Sequence, residues 1–307
     1  MQILLAIDSS SASEAAVNEV ALRPWPIGTT IELLGVIEPA HSWAVSQVVE
    51  EVTRRTENLV QRAAERLQSC GLKARPLVLS GDPKAVIVDH AADLEADFVV
   101  VGSHGVTGLT RFLLGSVAKA VVRFSPCSVE VVRRVATGGP MKVLLATDGS
   151  GCSVLAARSI AERPWPSGAE IRILSVVELG LSTFQAFLEP PFVDSSAMEM
   201  LRADAMKHSQ DAILAAEQIV TGTGLKASTT VSVLVESPKQ IILDEASHWN
   251  ADLIVVGSHG RRGINRFLLG SVSEAVATHA ECSVEVIRRF GSPTQKSEVA
   301  NERAADD

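Results

Sequence analysis

The sequence predicts an α/β protein made of two tandem copies of one unit, each an open five-stranded parallel sheet with helices on both faces. Three observations predict it. The 307 residues are enough for about two domains of roughly 150 residues each. The second half repeats motifs of the first at nearly constant spacing. Within each half, short apolar runs alternate with helical periodicity, which is the pattern of right-handed βαβ crossovers.

The internal repeat is visible in two sets of identical motifs. Arg-Pro-Trp-Pro occupies residues 23–26 and returns 140 residues later at 163–166. Gly-Ser-His-Gly occupies residues 102–105 and returns 155 residues later at 257–260. The 15 additional residues of the second copy therefore lie between these motifs, and most fall in the apolar stretch 179–196, which we interpret as an enlarged loop.

The boundaries of the copies follow from the same alignment. A short Thr-Gly-Gly-Pro segment at 137–140 separates them. We therefore assign residues 1–136 to the first domain and residues 141–290 to the second. The remaining residues, 291–307, are mostly small and polar, and we expect this tail to be disordered.

Five strands are predicted in each copy. The first is a short apolar run of the kind that is buried on both faces of a parallel sheet. The third follows a glycine of the type that ends a helix. The predicted strands of the first copy are 3–7, 31–37, the residues after Gly71, 98–101 and 128–132. Those of the second copy are 143–147, 171–177, the residues after Gly224, 253–256 and 283–287.

Four helices in each copy connect these strands. The second is long and amphipathic, with apolar residues along one side. The third begins with Asp82-Pro83 or Ser237-Pro238, an N-cap residue followed by proline at the first helical position. The predicted helices are 12–22, 46–69, the segments that start at Pro83 and Ser116, 153–163, 197–220, and the segments that start at Pro238 and Ser271.

Composition excludes several classes of partner. The 36 acidic and 28 basic residues give a net charge of −8, which opposes binding to nucleic acid or to an anionic membrane. No apolar run reaches the roughly 18 residues that a membrane helix requires. The first strand is not preceded by the basic segment of a secretion signal, and the four cysteines have no CxxC spacing. We therefore expect a cytoplasmic protein that binds neither nucleic acid nor membrane.

The loop after the fourth strand carries the most informative motif. It contains Gly102, Gly105 and, after nine further residues, Gly115 and Ser116, where a helix begins. The second copy repeats this spacing with Gly257, Gly260, Gly270 and Ser271. Glycines at a strand end allow backbone N–H groups to approach an anion, and the helix N-terminus adds a positive dipole end. The loop therefore suits a phosphate, although it lacks the Walker A lysine and the GxGxxG of a dinucleotide fold.

An aspartate ends the first strand of both copies, as Asp8 and Asp148. Ligands of open α/β sheets bind beyond the carboxyl ends of the strands, where such a carboxylate accepts bonds from ribose hydroxyls or an adenine amine. Structural alternatives stay open for both features. The aspartates equally suit caps of the following helix, and a serine N-cap, with Ser271 and Glu274 as a capping box, equally explains the glycine loop.

Taken together, these residues resemble the universal stress protein family. The resemblance rests on the Gly-2X-Gly-9X-Gly-Ser spacing, the segments 97–102 and 252–257 and the two Leu-Leu-Gly-Ser-Val runs, and it covers residues 1–134 and 141–289. It implies an adenine-nucleotide α-hydrolase-like fold with strand order 3-2-1-4-5, in which the first and fourth strands are neighbours. It also implies that the halves pair through their fifth strands as an internal pseudo-dimer, and that two chains form a homodimer.

The family's ATP-binding subgroup implies a role for each matching position. The implied nucleoside ligands are Asp8 and Asp148, with backbone groups at Val36 and Val176 on the adenine edge and Gly102 and Gly257 near the ribose. The implied phosphate ligands are Gly105, Gly115, Ser116 and Val117 in the first copy and Gly260, Gly270, Ser271 and Val272 in the second. The sequence departs from the family where Ser9-Ser10 follows Asp8 but Gly149-Ser150 follows Asp148. It departs again where Cys-Ser-Val replaces the usual Cys-Pro-Val before each fifth strand.

The expected function is that of a stress-response regulator with two sites for ATP, ADP or AMP, bound together with Mg²⁺. We expect no metabolic activity, because no residue stands out as a general base or an arginine finger. A slow Mg-dependent ATPase and a protein-interaction scaffold without nucleotide remain as alternatives. The two sites should differ in affinity, because their loops differ in charge: Val106 and Thr107 correspond to Arg261 and Arg262, and Lys119 corresponds to Glu274.

Overall fold

A computed structural model of the chain describes residues 1–38, 46–106, 114–133, 140–177, 195–233, 237–261 and 269–288. The strands are β1 (Gln2–Ala6), β2 (Thr30–Ile37), β3 (Lys73–Ser80), β4 (Phe98–Gly102), β5 (Ser128–Val132), β6 (Lys142–Ala146), β7 (Glu170–Val177), β8 (Ala227–Val233), β9 (Leu253–Gly257) and β10 (Ser283–Ile287). The helices are α1 (Ser11–Leu22), α2 (Ser46–Ser69), α3 (Pro83–Asp93), α4 (Ser116–Phe124), α5 (Gly151–Glu162), α6 (Ser195–Thr221), α7 (Pro238–Trp249) and α8 (Ser271–His279). Most of the predicted 179–196 loop and all of the predicted tail lie outside the described residues.

All ten strands belong to one sheet, in the order β3-β2-β1-β4-β5-β10-β9-β6-β7-β8. Each half is a parallel five-stranded sheet in the predicted order 3-2-1-4-5, so the fold class is confirmed. Where the halves meet, β5 and β10 pair antiparallel, with Glu130 opposite Glu285 in the middle of the pairing. An approximate twofold axis therefore passes between these two residues.

Helices cover both faces of the sheet, which explains why its strands are apolar at almost every position. Ile3 and Leu5 of β1 belong to a hydrophobic layer with α1 and α2, together with α5 and α6 of the second half. Leu4, between them in the chain, points to the opposite layer with α3 and α4, together with α7 and α8. Successive residues of a strand thus pack alternately into the two hydrophobic layers, as expected for a pleated strand.

Local signals placed most helix ends correctly. Asp82 caps α3 by accepting a bond from the Lys84 amide at 3.1 Å, and Pro83 is the first helical residue. Gly71 and Gly224 end α2 and α6 with positive φ angles of 83° and 85°. Ser237 precedes α7 at the N-cap but makes no side-chain capping bond. Glycine is suited to the first two ends because it has no Cβ to oppose the left-handed backbone.

The apolar side of α2 is only partly buried. Val60 and Leu67, in its second half, are fully buried against the sheet. In contrast, Val48, Val49 and Val52 are 55%, 40% and 43% exposed, although the sequence pattern places them on the same side. The helical pattern therefore continues beyond the part of α2 that the sheet covers.

A buried ionic cluster lies where the two halves join. Arg23 Nη1 lies 2.8 Å from Glu285 Oε1, while its Nη2 lies 2.8 Å from Glu130 Oε1 and 2.7 Å from Glu19 Oε1. Arg163 lies in the same half as Glu285 and also binds it, with Nη1 3.0 Å from Oε1. Glu130 and Glu285 are both 0% exposed. The arginines come from the repeated Arg-Pro-Trp-Pro motifs, which therefore serve the junction between the halves.

The tryptophans of the same motifs lie beside these arginines. The Trp25 ring is centred 5.5 Å from the Arg23 guanidinium carbon, and the Trp165 ring is 5.2 Å from that of Arg163. Each indole N–H also donates to a carbonyl at the end of the preceding helix, Trp25 to Val20 at 2.9 Å and Trp165 to Ile160 at 2.7 Å. The rings thus shield the cluster from solvent and add cation–π attraction.

Three carboxyl groups and two guanidinium groups leave this cluster with an unbalanced negative charge unless one proton is bound. Burial, reinforced by the nearby charges of Glu285 and Glu19, raises the pKa of Glu130 from 4.5 to about 8, although Arg23 opposes the shift. Burial acts on Glu285 in the same sense, but its ion pairs with Arg163 and Arg23 outweigh it and lower the pKa of that carboxyl. Burial thus favours the protonated form of Glu130, whereas the two arginines favour the ionised form of Glu285.

Candidate functional site

The predicted site residues gather at the carboxyl ends of the central strands in each half. In the order 3-2-1-4-5, the connections after β1 and β4 leave the sheet in opposite directions, which opens a crevice between these neighbouring strands. Asp8 follows β1 and Gly105 follows β4, and a Cβ added at Gly105 would lie 2.8 Å from Asp8 Oδ2. In the second half, a Cβ added at Gly260 would lie 2.7 Å from Asp148 Oδ2. The structure thus brings together the aspartate and the glycine loop of each copy.

The two aspartates also order their own turns. Asp8 Oδ1 accepts bonds from the Ser10 amide at 3.0 Å and from the Ser13 hydroxyl at 2.6 Å. Asp148 Oδ1 accepts from the Ser150 amide at 3.0 Å. The N-caps of α1 and α5 are Ser10 and Ser150, so the alternative that the aspartates cap these helices is wrong. The bonds within the turns use only part of each carboxylate. Four lone-pair positions per carboxylate leave acceptor capacity for a ligand hydroxyl or amine.

The second aspartate makes a further contact with its glycine loop. Asp148 Oδ2 accepts a bond from the Arg261 amide at 3.0 Å. The bond ties the end of the first strand of that half directly to the loop after its fourth strand. Both carboxylates are partly buried, so such bonds stabilise the loop conformation without closing the crevice.

Close packing explains the first glycine of each loop. A Cβ on Gly102 would lie 2.7 Å from the Ala12 carbonyl carbon in α1, and one on Gly257 would lie 2.6 Å from that of Cys152 in α5. Real Cβ atoms do not approach backbone this closely, so only glycine fits at these positions. The first glycine thus lets the helix after the first strand lie directly on the fourth strand, whatever else it contacts.

The third glycine closes the loop on itself. The Gly115 amide donates to the Ser103 carbonyl at 2.8 Å, and the Gly270 amide donates to the Ser258 carbonyl at 2.8 Å. A Cβ at Gly115 would lie 3.1 Å from the His104 Cα, so the loop backbone passes close to the start of α4. The helix N-terminus and the Gly-Ser-His-Gly turn therefore face the same crevice.

The amides at the start of α4 and α8 are not capped by a side chain. Gly115 and Gly270 are the N-cap residues, and neither can provide a side-chain acceptor. Ser116 and Ser271 are the first helical residues and are exposed. The serine N-cap and the Ser271–Glu274 capping box, considered above as a structural alternative, are therefore wrong. The first-turn N–H groups, including those of Val117 and Val272, stay available to an anion.

The end of the second strand completes the edge. Val36 is near the end of β2 and Val176 near the end of β7, one strand away from Asp8 and Asp148 respectively. Both valines are partly buried. The ends of three neighbouring strands in each half thus border one crevice.

A serine in the turn after each aspartate is an addition that the sequence reasoning missed. Ser10 donates through its hydroxyl to the His104 carbonyl at 3.2 Å, and Ser150 donates to the His259 carbonyl at 3.2 Å. These bonds hold the turn after the first strand against the loop after the fourth. The signal was present in the sequence, because both serines lie two residues after the repeated aspartates.

The loop histidines have a local partner. The His104 Nδ1 lies 2.9 Å from the Ser103 hydroxyl, and the His259 Nδ1 lies 3.0 Å from the Ser258 hydroxyl. Burial lowers the pKa of His259, and the nearby Arg288 charge adds to that effect. A neutral imidazole bonded to its neighbouring serine helps to order the loop.

The described residues hold no cluster of three or more His, Cys, Asp or Glu side chains that would bind a metal ion. A Mg²⁺ ion at this crevice would therefore be held chiefly by oxygens of its ligand and by water. The glycine cradle and the uncapped amides fit such an anionic ligand. Among the same described residues, no helix is long and apolar enough to cross a membrane.

Comparison with known proteins gives this geometry a family. The profile of the universal stress protein family matches residues 1–133 and again residues 140–288. A universal stress protein of Mycolicibacterium smegmatis is 29% identical over 302 residues, covering 93% of this chain and 96% of the relative. One from Mycobacterium tuberculosis is 28% identical over 310 residues, covering 94% and 97%. The crystal structure of a universal stress protein from Archaeoglobus fulgidus shares the fold, with a TM-score of 0.64 at 22% identity over 94% of this chain and 98% of that one. The chain therefore belongs to the universal stress protein family, with two family domains in tandem.

Proposed function

We propose that each half binds one adenine nucleotide, with ATP as the main ligand, and that the protein acts as a nucleotide-loaded regulator of a stress response. The observation that carries the proposal is the pair of glycine-capped helix N-termini at Ser116 and Ser271. Each one faces a crevice with an aspartate on its opposite side. Backbone amides would hold the phosphates there, whereas the carboxylate would hold the nucleoside.

Each predicted residue then has a role that its position supports. Asp8 and Asp148 accept bonds from the ribose or the base, and the backbone at Val36 and Val176 contacts the adenine edge. Gly102 and Gly257 bring the first helix close enough to narrow the crevice. The residues that would hold the phosphates are Gly105, Gly115, Ser116 and Val117 in one half and Gly260, Gly270, Ser271 and Val272 in the other.

A local anion site is compatible with the net charge of −8. Amide dipoles act over a few ångströms, whereas the net charge of the chain is screened over about 10 Å in ordinary salt. Mg²⁺ would bridge phosphate oxygens and supply charge neutralisation. We further propose that the antiparallel β5–β10 pairing makes the chain an internal pseudo-dimer, that two chains associate as a homodimer, and that the protein works in the cytoplasm.

The experiment that tests the proposal places a negative charge where the phosphates would bind. Ser116→Glu and Ser271→Glu put a carboxylate at an exposed first helical position, where it favours the helix dipole by about 0.3–1 kcal/mol. We expect two nucleotides per wild-type chain, one in each single variant and none in the double variant. The readout is isothermal titration with ATP and Mg²⁺, together with mass spectrometry of nucleotide released by heating the purified protein.

Ser116→Gln and Ser271→Gln are the matched controls, because glutamine has the size of glutamate without its charge. They should keep the wild-type stoichiometry. Loss of nucleotide in the glutamate variants with an unchanged melting temperature cannot be attributed to unfolding. If the wild-type protein binds no adenine nucleotide, the proposal is wrong and the nucleotide-free interaction scaffold is favoured. Steady phosphate release over many turnovers would instead favour the slow ATPase.

The same series measures the two affinities separately. The sequence predicts unequal sites, partly because Lys119 corresponds to Glu274. These two side chains lie 4.0 Å apart across the junction of the halves and are partly exposed. Each site therefore feels both charges, which weakens that part of the expected difference. The remaining contrast is that between Val106 and Arg261 in the loops.

A further inference from the structure

An arginine follows the last strand of each half, and each one reaches into the other half. Arg133 follows β5, and its Nη2 donates to the Ala277 carbonyl at 2.7 Å and to the Thr278 carbonyl at 3.1 Å. These carbonyls lie in the last turn of α8. Its Nη1 lies 3.5 Å from the Cys282 carbonyl. Arg133 thus binds the C-terminal end of the helix whose N-terminus faces the second crevice.

Arg288, which follows β10, makes the reciprocal contacts. It donates to the carbonyls of Val122 and Ser125 through short bonds, and to the Arg123 carbonyl at 3.2 Å. These carbonyls lie at and just beyond the last turn of α4. Each proposed phosphate-binding helix is therefore held at its far end by an arginine of the opposite half.

The backbone next to each arginine is bonded to the glycine loop of its own half. The Ser103 amide donates to the Val132 carbonyl at 2.9 Å, and the Ser258 amide donates to the Ile287 carbonyl at 2.8 Å. Val132 and Ile287 directly precede the two arginines. One continuous path of contacts thus links the two sites. It runs from the loop of one site to Val132 or Ile287, then to the adjacent arginine, and from that arginine to the phosphate-binding helix of the other site.

The chemistry of these contacts makes them directional. A guanidinium group has several N–H donors in one plane, and the carbonyls at a helix C-terminus carry the negative end of its dipole. Burial lowers the pKa of Arg133 to about 10, so the group stays charged at neutral pH. A half-buried cation that makes three carbonyl contacts fixes the position and rotation of the helix end more firmly than an exposed ion pair would.

We propose that Arg133 and Arg288 are positioning residues that couple the two nucleotide sites. This inference rests on the proposed function. Nucleotide bound at the N-terminus of α4 orders that helix and, through Arg288 and Ile287, the loop at Ser258 in the second site. The second nucleotide then meets a loop that is already ordered, so binding is positively cooperative. We expect the first nucleotide to raise the affinity for the second by about fivefold.

The decisive measurement uses the protein with only its first site open, the Ser271→Glu chain, labelled for amide NMR. Addition of ATP and Mg²⁺ should shift the amide signals of Ser258 and His259 in the empty second site. The same titration of Ser271→Glu combined with Arg288→Met should leave those signals in place while ATP still binds at one equivalent. Arg288→Lys, which keeps a charged donor without the planar fork, should give an intermediate shift.

The mirror experiment controls for general destabilisation. In the Ser116→Glu chain, ATP at the second site should shift the signals of Ser103 and His104, and Arg133→Met should abolish that effect. A variant that merely loosened the fold would broaden signals throughout both halves. ATP binding without any shift in the empty site, or shifts that persist without the arginine, would overturn the coupling alone. Wild-type protein that fails to bind ATP would overturn the proposed function and the coupling with it.

Discussion

The two halves of the molecule repeat some contacts almost unchanged and replace others by their opposites. At the crevices, a Cβ added at the second glycine of the loop would lie 2.8 Å from the aspartate in one half and 2.7 Å in the other. Elsewhere, Glu32 of β2 pairs with His90 of α3, whereas the equivalent positions hold Arg172 and Glu245, 2.6 Å apart. The acidic partner thus lies on the strand in the first copy and on the helix in the second.

This contrast separates two kinds of constraint. An ion pair between a strand and its covering helix works with either polarity, because only the attraction between the partners matters to packing. The crevice has no such freedom, because its amides and carboxylate must meet a ligand of fixed charge. The contacts at the crevice are among those that the two copies keep unchanged, as one class of ligand in both halves would require.

The junction between the halves departs from symmetry in a third way. Glu19 binds Arg23 in the first half, but Ser159 is at the equivalent position in the second, where Arg163 Nε donates to its carbonyl at 2.9 Å. The pseudo-symmetric pair Glu130 and Glu285 therefore experiences unequal surroundings. Arg23 and Arg163 both bind Glu285, whereas Glu130 pairs with Arg23, so the pKa of Glu285 is lowered while burial raises that of Glu130.

The largest expected effect tests this inequality. Glu285→Gln removes a charged carboxylate that binds both arginines and should lower the free energy of unfolding by about 3 kcal/mol at pH 7. Glu130→Gln replaces a carboxyl whose neutral form the fold favours, so it should leave the free energy of unfolding at pH 7 equal to or above that of the wild type. Urea unfolding of both variants measures the difference. Equal losses would show that the proton is not confined to Glu130.

The pH dependence of the free energy of unfolding should show the same difference between Glu130 and Glu285, with an effect of similar size. The pKa of Glu130 is raised in the folded state, so its contribution to stability is complete below about pH 4.5 and is lost as the pH rises toward 8. The pKa of Glu285 is lowered, so its contribution is present above about pH 4.5 and is lost on acidification. We expect the free energy of unfolding to fall by roughly 3 kcal/mol between pH 5 and pH 8.

Glu130→Gln is the control for that fall. Since glutamine does not titrate, the variant should hold its stability between pH 5 and pH 8 while it keeps the loss of stability at lower pH. Unfolding curves at half-unit intervals of pH would show whether the fall in the free energy of unfolding between pH 5 and pH 8 disappears. A fall that survives in the variant must come from another group.

Much of this arrangement could be predicted from the sequence because it depends on local signals. The start of α4 at Ser116 follows from a motif repeated in the two copies. The strand order within each half and the approach of Asp8 to its glycine loop were expected only from the resemblance to the universal stress protein family. The buried cluster could not be predicted in this way. Glu130 and Glu285 lie inside apolar strands, and their partners come from helices more than 100 residues away in the chain.

The cap of the last helix was misjudged for a different physical reason. Ser271 and Glu274 match a capping box in spacing, but the preceding Gly270 occupies the N-cap, and its amide bonds back to the loop. The bond to the Ser258 carbonyl fixes the register of the helix one residue earlier than the serine pattern suggests. A glycine at the N-cap has no side-chain oxygen to accept a bond from the first-turn amides, so these amides remain available to another partner.

The smallest expected effect concerns the turn after each aspartate. Gly149 has a φ of +75°, and a Cβ there would lie 3.2 Å from the Ala212 Cβ of α6. Ser9 is at the equivalent position of the first half. Its φ angle is not positive, so the backbone of its turn differs from that at Gly149. Gly149→Ala should therefore lower the free energy of unfolding by about 1 kcal/mol, whereas Ser9→Ala should leave it nearly unchanged.

Thermal unfolding with and without ATP distinguishes a local loss of stability from the loss of a nucleotide site. A strained turn that displaces Asp148 would reduce the stabilisation by nucleotide in the second half only. Equal responses of the two variants would mean that the turns share one conformation and that the glycine is incidental.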